Sequence, residues 1–234
     1  MTPSGTTARP KRRCYLPDWL LERRAWGISA QLYELRSQRN WGIGDFADLA
    51  ALCEIAAAAG ADFVGVNPLH ALFLAEPERC SPFSPSNRRF LNPLCIAIDK
   101  VAGFDPTMAD DREIERLRRE PFVDYAGVAM LKLSVLRIIW RNGGAAEEEG
   151  LRAFRADGGA ALQRHAVFEA LSLRMKSEGH GSGWKGWPQD LSRVNSPAVA
   201  AFAEENADEV AFHVWLQRLA RRQLGEAANR ARAA

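Results

Sequence analysis

The chain has 234 residues, 47% of them hydrophobic and 26% charged, which is typical of a globular protein with a core of useful size. The formal net charge is only +2, so the overall charge does not favour nucleic acid or an anionic membrane as a partner. No apolar run is long enough to cross a membrane, and the four cysteines lack metal-ligand spacing.

The N-terminal segment, residues 1–23, is predicted to be a linker or tail. For its short basic run, residues 9–13, a solvated terminus is favoured over a binding arm. The segment has no apolar signal core followed by a cleavage site, so a cytoplasmic location is expected. Cys53 and Cys95 fall in apolar patterns and are predicted to be small hydrophobic residues in a reducing compartment.

The next part of the chain has the pattern of a strand, a loop, a helix and a second strand. Residues 27–35 alternate as a strand, and residues 62–69 form a short, nearly continuous apolar run. Between them, apolar residues recur at helical spacing, with Asp45 as the predicted N-cap and Gly60 as the stop. This order predicts a βαβ unit with parallel strands and a right-handed crossover.

A long loop over residues 70–93 and a further strand over residues 94–99 complete the predicted β-rich part. After residue 100 the pattern is helical. Helices are predicted at residues 110–119, at 123–141 with Leu131, Val135, Ile138 and Ile139 on the apolar face, within 145–177 as two segments around Gly158 and Gly159, and over 197–230 as one or two segments. Two or three parallel strands leave open edges, so further strands are expected beyond this chain.

Polar and aromatic residues collect in the loops that follow the predicted strands. Asn67 and His70 lie at the mouth of the second strand, where a lone histidine is more often hydrogen-bonded structure than a catalyst. The segment SPFSPS, residues 81–86, offers hydroxyls around Phe83, which suits either a sugar ring or packing into the core. The tryptophans of GWKGWP, residues 183–188, either stack on a sugar or anchor the loop, and anchoring is favoured.

The acidic residues of the first half do not form an evident catalytic pair. A retaining glycosidase needs two carboxylates about 5–5.5 Å apart. Asp62 precedes its strand, at the end opposite to the one where α/β folds place their sites, and Asp45 is better used as a helix cap. The other candidates are Glu76, Glu78 and Asp99.

Four segments, taken in order, carry a family resemblance: RAWGISAQLYELRSQRNWGIGDFADL, GADFVGVNPLHALFLAEPERCSPFSPSNRRFLNPLCIAID, GWKGWPQDL and EVAFHVWLQRLARRQL. They resemble the bacterial 4-α-glucanotransferases, also called amylomaltases or disproportionating enzymes, a branch of the α-amylase clan. The resemblance runs from about residue 24 to the end, with several segments in matching order and spacing.

The resemblance implies an α/β fold, an incomplete (β/α)₈ TIM barrel with a mainly helical insertion. Residues 1–23 would be the linker or tail, residues 24–100 the first βαβ part with a substrate loop, residues 101–196 the helical insertion, and residues 197–234 a barrel helix. A whole barrel needs about 250 residues, so the chain is expected to be the N-terminal part of a longer protein.

The implied reaction cleaves a 1,4-α-glucan and passes the glucosyl segment to the 4-hydroxyl of another sugar by a retaining double displacement. No metal or organic cofactor is required, and the partners are α-1,4-glucans and maltooligosaccharides, with neither nucleic acid nor membrane. The family's catalytic carboxylates sit on later barrel strands, so no catalytic residue is assigned here and the chain alone is expected to be inactive.

The resemblance does carry substrate contacts onto this chain. Phe83 matches a family tyrosine whose ring stacks on the sugar beside the cleaved bond, so stacking is kept and the phenol hydrogen bond is lost. Asn67, His70 and Ser81 complete the predicted substrate-binding set. Two alternatives stay open: a non-catalytic protein that binds glucans or a partner, and an α-amylase-type hydrolase.

Overall fold

The structure is a computed structural model that describes residues 18–143 and 148–234. The basic run at residues 9–13 and the start of the predicted helix at residue 145 lie outside these ranges. The strands and helices of the described residues are, in chain order, α1 (Trp19–Glu22), β1 (Gly27–Ala30), α2 (Phe46–Ala58), β2 (Phe63–Val66), β3 (His70–Ala71), β4 (Asn87–Leu91), α3 (Asp111–Arg119), α4 (Tyr125–Arg141), α5 (Glu148–Ser177), α6 (Pro197–Glu205) and α7 (Ala207–Ala233).

Strands β1 and β2 pair in parallel, with α2 between them in the chain, so the predicted βαβ order is confirmed. The register runs from Gly27 opposite Phe63 to Ala30 opposite Val66. Helix α2 begins as predicted because the Asp45 carboxylate accepts hydrogen bonds from the backbone of the first turn. The Asp48 carboxylate returns a 3.0 Å bond to the Asp45 backbone N–H, which completes a capping box.

The first strand is shorter than predicted, because β1 ends at Ala30 and a 3₁₀ turn occupies Leu32–Glu34. The Asn67 Oδ1 atom accepts a 2.7 Å hydrogen bond from the Leu32 backbone N–H. The Leu35 N–H bonds back to the Leu32 carbonyl at 3.1 Å, which closes the turn. The first bond uses a side chain and the second closes a local turn. The backbone of these residues therefore does not continue the hydrogen-bond ladder with β2.

The loop predicted over residues 70–93 contains a short antiparallel pair, β3 and β4. His70 pairs with Leu91 and Ala71 with Asn87, with an irregular register between them. The Ser86 hydroxyl donates to the carbonyl oxygen of Ala71 at 3.0 Å, and the Ser86 N–H bonds to the same oxygen at 2.9 Å. The loop is therefore folded back on itself as an irregular hairpin.

The strand predicted at residues 94–99 is wrong. Two 3₁₀ turns, Pro93–Cys95 and Ile98–Lys100, occupy this segment. Helix side chains satisfy its backbone: the Lys132 ammonium donates to the carbonyls of Leu94 and Ile96 at 2.7 and 2.8 Å. The Gln223 amide bonds to both the N–H and the carbonyl of Ala97, at 2.8 and 2.9 Å. A buried apolar segment therefore does not need a neighbouring strand when side chains from helices satisfy its backbone hydrogen bonds.

The helices follow the predicted order. Helix α5 is interrupted at Gly159, whose φ of 53° and ψ of −152° are not helical, so the predicted break at the glycine pair is confirmed. The last helical region is two helices, α6 and α7, separated at Asn206. On α4 the predicted apolar face is buried except at Ile138, which is 38% exposed.

Helix α7 packs against both α2 and α5 and so joins the two apolar clusters of the core. One cluster includes α2, α4 and the 3₁₀ segments, and the other lies between α5 and α6. Within residues 18–143 and 148–234, none of the helices has both the length and the apolar character needed to span a bilayer.

Candidate functional site

A small cavity of about 20 Å³ lies where the chain leaves β1 and β2. Its walls include Asn67 and His70 together with two phenols, Tyr33 and Tyr125. The chain leaves parallel strands at the edge where α/β folds place their sites. The structure therefore brings two of the four predicted binding residues together at the expected edge of the sheet.

Asn67 is held by internal hydrogen bonds. Besides the bond from the Leu32 N–H at its Oδ1, its Nδ2 donates to the carbonyl of Pro68 at 3.0 Å. The amide therefore ties the ends of β1 and β2 to each other and fixes the loop that follows. An amide oxygen can accept a second hydrogen bond, so Oδ1 keeps room for one more donor.

His70 is half-buried, and its backbone pairs with Leu91 in the β3–β4 hairpin. Its imidazole lines the small cavity, and no hydrogen bond of that ring is recorded within the described residues. The described residues therefore give no support to a purely structural hydrogen-bonding role for the imidazole, and its role in binding stays a prediction. No Ser or Cys nucleophile is paired with it in the part of the chain that the structure describes.

Ser81 and Phe83 lie on either side of Pro82, which is itself part of the cavity wall. Both are exposed, and the Phe83 ring is 67% exposed rather than packed in the core. The Ser84 N–H bonds to the Ser81 carbonyl at 3.0 Å, so the segment is a tight turn that presents the ring. The open alternative for Phe83 is thus decided in favour of an exposed aromatic surface.

The two phenols of the cavity were not singled out from the sequence. The rings of Tyr33 and Tyr125 are 6.4 Å apart between centroids. Burial raises the pKa of Tyr125 well above its ordinary value, so its hydroxyl remains a neutral donor at physiological pH. Tyr33 belongs to the 3₁₀ turn after β1, and Tyr125 begins α4. The sequence around each tyrosine therefore did not indicate that the two rings lie close together.

The acidic residues that lie close together have a structural role in a loop and a helix cap. The Arg39 guanidinium bonds to Asp45, to Asp48 at 2.9 Å and to Asp99 at 2.6 Å. Asp45 and Asp48 are also the reciprocal caps of α2. Burial raises the pKa of Asp45, against the lowering effect of Lys132 and Arg39. This cluster fixes the loop over residues 37–48 and is not arranged as an acid and a nucleophile.

A second and much larger cavity, of about 660 Å³, lies between the β3–β4 hairpin, α5 and the loop around Gly183. On one wall the ring of Phe90 is stacked on His165, with centroids 4.3 Å apart and planes 3° apart. Sequence reasoning missed this cavity because its residues come from three separate segments, residues 73–90, 161–168 and 183–185. Its lining is Phe73, Arg79, Ser86, Asn87, Arg89, Phe90, Ala161, Arg164, His165, Phe168, Gly183, Trp184 and Lys185.

The two tryptophans of the glycine-rich loop have different environments. Trp187 is buried, donates from Nε1 to the Gly181 carbonyl at 3.0 Å and stacks on Phe168. Trp184 is 53% exposed and lines the large cavity. The anchoring role predicted for this loop therefore belongs to Trp187, while Trp184 offers an accessible ring.

Comparison with known proteins identifies the family. The family profile described as 4-alpha-glucanotransferase matches residues 30–234. The chain is 37% identical to the 4-alpha-glucanotransferase of Mycobacterium bovis over 235 residues, which are 92% of this chain and 31% of that protein. It is 32% identical to the Haemophilus influenzae 4-alpha-glucanotransferase over 238 residues, 93% of this chain and 34% of that protein. The chain thus spans about a third of the length of these relatives.

Solved structures agree with this fold. The amylomaltase from Corynebacterium glutamicum superposes with a TM-score of 0.69 at 28% identity, over 92% of this chain and 29% of that one. The amylomaltase from Streptococcus agalactiae, solved in complex with acarbose, superposes with a TM-score of 0.70 over 90% of this chain and 41% of that one. Its identity of 19% supports the fold alone. Because the family profile covers most of its length, the chain belongs to the 4-alpha-glucanotransferase family.

Proposed function

We propose that this chain supplies the N-terminal part of a 4-α-glucanotransferase that moves a segment of a 1,4-α-glucan to the 4-hydroxyl of an acceptor glucose or glucan. The observation that carries the proposal is the exposed Phe83 ring beside the cavity at the ends of β1 and β2, in a chain that belongs to this family. A sugar ring has an apolar face that stacks on such an aromatic surface.

In this proposal the βαβ unit is the first part of an incomplete (β/α)₈ barrel. Parallel pairing of β1 with β2 and the packing of α7 on α2 both support it. Residues 24–100 and 197–234 would belong to the barrel, and residues 101–196 to its helical insertion. The free thiols of Cys53 and Cys95 suit a cytoplasmic location, which is part of the proposal.

The four predicted binding residues take different roles in the proposed site. Phe83 stacks on a sugar ring, and the exposed Ser81 hydroxyl bonds to a sugar hydroxyl. His70 contributes its imidazole at the cavity wall. Asn67 acts mainly as a positioning residue, since its amide already bonds to Leu32 and Pro68.

The carboxylates for the double displacement are proposed to come from sequence outside this chain. No Asp or Glu lines the small cavity among the residues that the structure describes. The chain also spans about a third of its relatives, which leaves two thirds of their length to supply the acid and the nucleophile. We therefore expect the 234-residue chain alone not to convert maltotriose into glucose and longer maltodextrins.

The test joins this chain to the remaining two thirds of the Haemophilus influenzae relative, in place of its matching N-terminal third. The chimera is expected to disproportionate maltotriose, whereas the chain alone is not. In the chimera, Phe83→Ala is expected to reduce kcat/KM, and Phe122→Ala, which removes another exposed phenylalanine away from the cavity, is the matched control.

Each alternative predicts a different product pattern. Turnover by the chain alone would contradict the placement of the carboxylates outside it. Glucose without longer products from the chimera would favour an α-amylase-type hydrolase. A folded chimera without turnover, together with maltoheptaose binding by the chain, would favour the non-catalytic glucan-binding protein.

A further inference from the structure

The large cavity between the β3–β4 hairpin, α5 and the loop around Gly183, called here the cationic cavity, is separate from the proposed glucan site. The two cavities share no lining residue. Its volume of about 660 Å³ is in the range of pockets that hold small molecules. It therefore has the size of a ligand site, and its lining indicates the chemistry of the ligand.

Among the residues that the structure describes, the cationic cavity is lined by four basic side chains and by no acidic one. Arg79 is engaged, since it lies over the Phe73 ring, bonds to Ser182 and is 3.5 Å from Glu76. The other three basic side chains make no recorded ion pair within residues 18–143 and 148–234. They are Arg89, Arg164 and Lys185. Three cations without carboxylate partners around one cavity indicate an anionic ligand.

Aromatic rings lie beside these cations on the surface of the cavity. Trp184 presents an exposed ring, and the Lys185 ammonium is 5.8 Å from the centre of that ring. Phe90 forms part of the wall, with His165 stacked behind it. A flat ring beside a cationic group suits a ligand that has both a planar or ring-shaped part and an anionic part.

Two buried titratable groups lie at or next to the wall of the cationic cavity: His165 lines it, and Glu169 is beside His165 without lining it. The His165 Nδ1 atom is buried without a hydrogen-bond partner among the described residues, 3.7 Å from a Glu169 oxygen. Burial raises the pKa of Glu169 to about 8, so its carboxyl is mostly neutral at pH 7. The Glu169 carboxyl, behind the cavity wall, therefore does not oppose an anion in the cavity with a full negative charge.

We propose that the cationic cavity binds a small phosphate monoester carried on a ring, with the phosphate against Arg89, Arg164 and Lys185 and the ring against Trp184. Arginine matches phosphate oxygens with paired N–H groups, and three cations more than offset the two negative charges of a phosphate dianion. A sugar phosphate and a nucleoside monophosphate share this chemistry. A small ligand is favoured over a nucleic acid because the cavity is of small-molecule size and the net charge of the protein is only +2.

Isothermal titration calorimetry of the purified protein tests the proposal with four probes: glucose 6-phosphate, adenosine monophosphate, inorganic phosphate and glucose. We expect one of the two ring phosphates to bind more tightly than inorganic phosphate, and glucose not to bind. Arg164→Ala and Lys185→Ala are each expected to weaken that binding about tenfold. Trp184→Ala should weaken the ring phosphate but leave inorganic phosphate unchanged.

Arg141→Ala is the matched control, because Arg141 is an exposed cation at the end of α4 that does not line the cavity. The Arg141→Ala variant should bind the ring phosphate as tightly as the unmodified protein does. A thermal melt of every variant checks that the variant is folded. Absence of binding by both ring phosphates at millimolar concentration would overturn the proposal. The proposal would also be overturned if the Arg164→Ala and Lys185→Ala variants bound the ring phosphate as tightly as the unmodified protein does. The same holds if the unmodified protein bound inorganic phosphate as tightly as the ring phosphate.

Discussion

The Asn67 side chain accepts a 2.7 Å hydrogen bond from the backbone N–H of Leu32, across 35 positions of sequence. This bond joins the end of β2 to the turn that follows β1, at the edge of the sheet where the small cavity lies. Because the same amide also bonds to Pro68, one side chain fixes both loops that approach the proposed glucan site. Its contribution to binding is therefore expected to come through geometry.

Asn67→Ala is expected to destabilise the protein by about 1–3 kcal/mol, since the partly buried Leu32 N–H loses its partner. Asn67→Asp keeps an acceptor for the Leu32 N–H but places an anionic oxygen against the Pro68 carbonyl, so it should destabilise the protein as well. Urea unfolding followed by tryptophan fluorescence measures both. An Asn67→Ala variant as stable as the unmodified protein would show that this bond does not hold the loops.

Phe83 offers the clearest separation of binding from stability. Its ring is 67% exposed, so Phe83→Ala should change the free energy of unfolding by no more than about 0.5 kcal/mol. Loss of the stacking surface is expected to weaken maltoheptaose binding about fivefold, corresponding to about 1 kcal/mol.

Calorimetric titration of maltoheptaose into the 234-residue chain alone, which is expected not to turn the sugar over, measures the affinity. Phe83→Tyr should retain it, and Phe122→Ala is the matched control because Phe122 is 83% exposed and does not line the cavity. Equal losses in the Phe83→Ala and Phe122→Ala variants would remove Phe83 from the site.

Lys132 is a buried cation that holds the segment mispredicted as a strand. Lys132→Met keeps the apolar stem but leaves the carbonyls of Leu94 and Ile96 without their donor. It also removes one of the two positive charges near the buried Asp45 and leaves only that of Arg39. We expect a loss of about 3–5 kcal/mol in the free energy of unfolding. Lys100→Met, at an exposed lysine, should change it by less than about 1 kcal/mol. Urea denaturation of the two variants makes the comparison, and equal losses would contradict the structural role of Lys132.

The βαβ unit was predictable because its signals are local. A capping aspartate, helical spacing and a glycine stop specify α2 without reference to the rest of the chain. Residues 94–99 were not predictable in the same way. Their apolar pattern shows only that they are buried, while the side chains that satisfy their backbone, Lys132 and Gln223, lie far along the sequence.

The candidate sites differ in the same respect. Asn67, His70, Ser81 and Phe83 were predicted because they follow one predicted strand and lie in loops that resemble those of the family. Their role in binding stays a prediction. The cationic cavity depends on the packing of α5 against the β3–β4 hairpin, and a single sequence does not show which helix covers which hairpin. Arg164 is an example. In the sequence it is one more exposed arginine of α5, and only the structure shows that it lines a cavity together with the β3–β4 hairpin.

The buried pair on α5 gives the protein a pH dependence with a definite sign. Burial raises the pKa of Glu169 from 4.5 to about 8, so the unfolded chain releases this proton at lower pH than the folded one. Its effect is a loss of stability as pH rises from about 4.5 to 8. Burial, and then the charge of His213, lower the pKa of His165 from 6.5 to about 3, so its effect is a loss of stability as pH falls below 6.5.

The two effects oppose each other between pH 4.5 and 6.5, and Glu169 acts without that opposition between pH 6.5 and 8. We therefore expect the unmodified protein to lose up to about 1.4 kcal/mol per pH unit in the upper range because of this carboxyl. Glu169→Gln keeps the shape of the group and removes the proton, so its stability should stay flatter there. Glu178→Gln, at an exposed carboxylate just beyond α5, should follow the unmodified protein. Urea unfolding at pH 6.5, 7.25 and 8 measures the three slopes. A Glu169→Gln slope equal to that of the unmodified protein would mean that Glu169 is already ionised in the folded state. A negative charge would then lie behind the wall of the cationic cavity, next to His165.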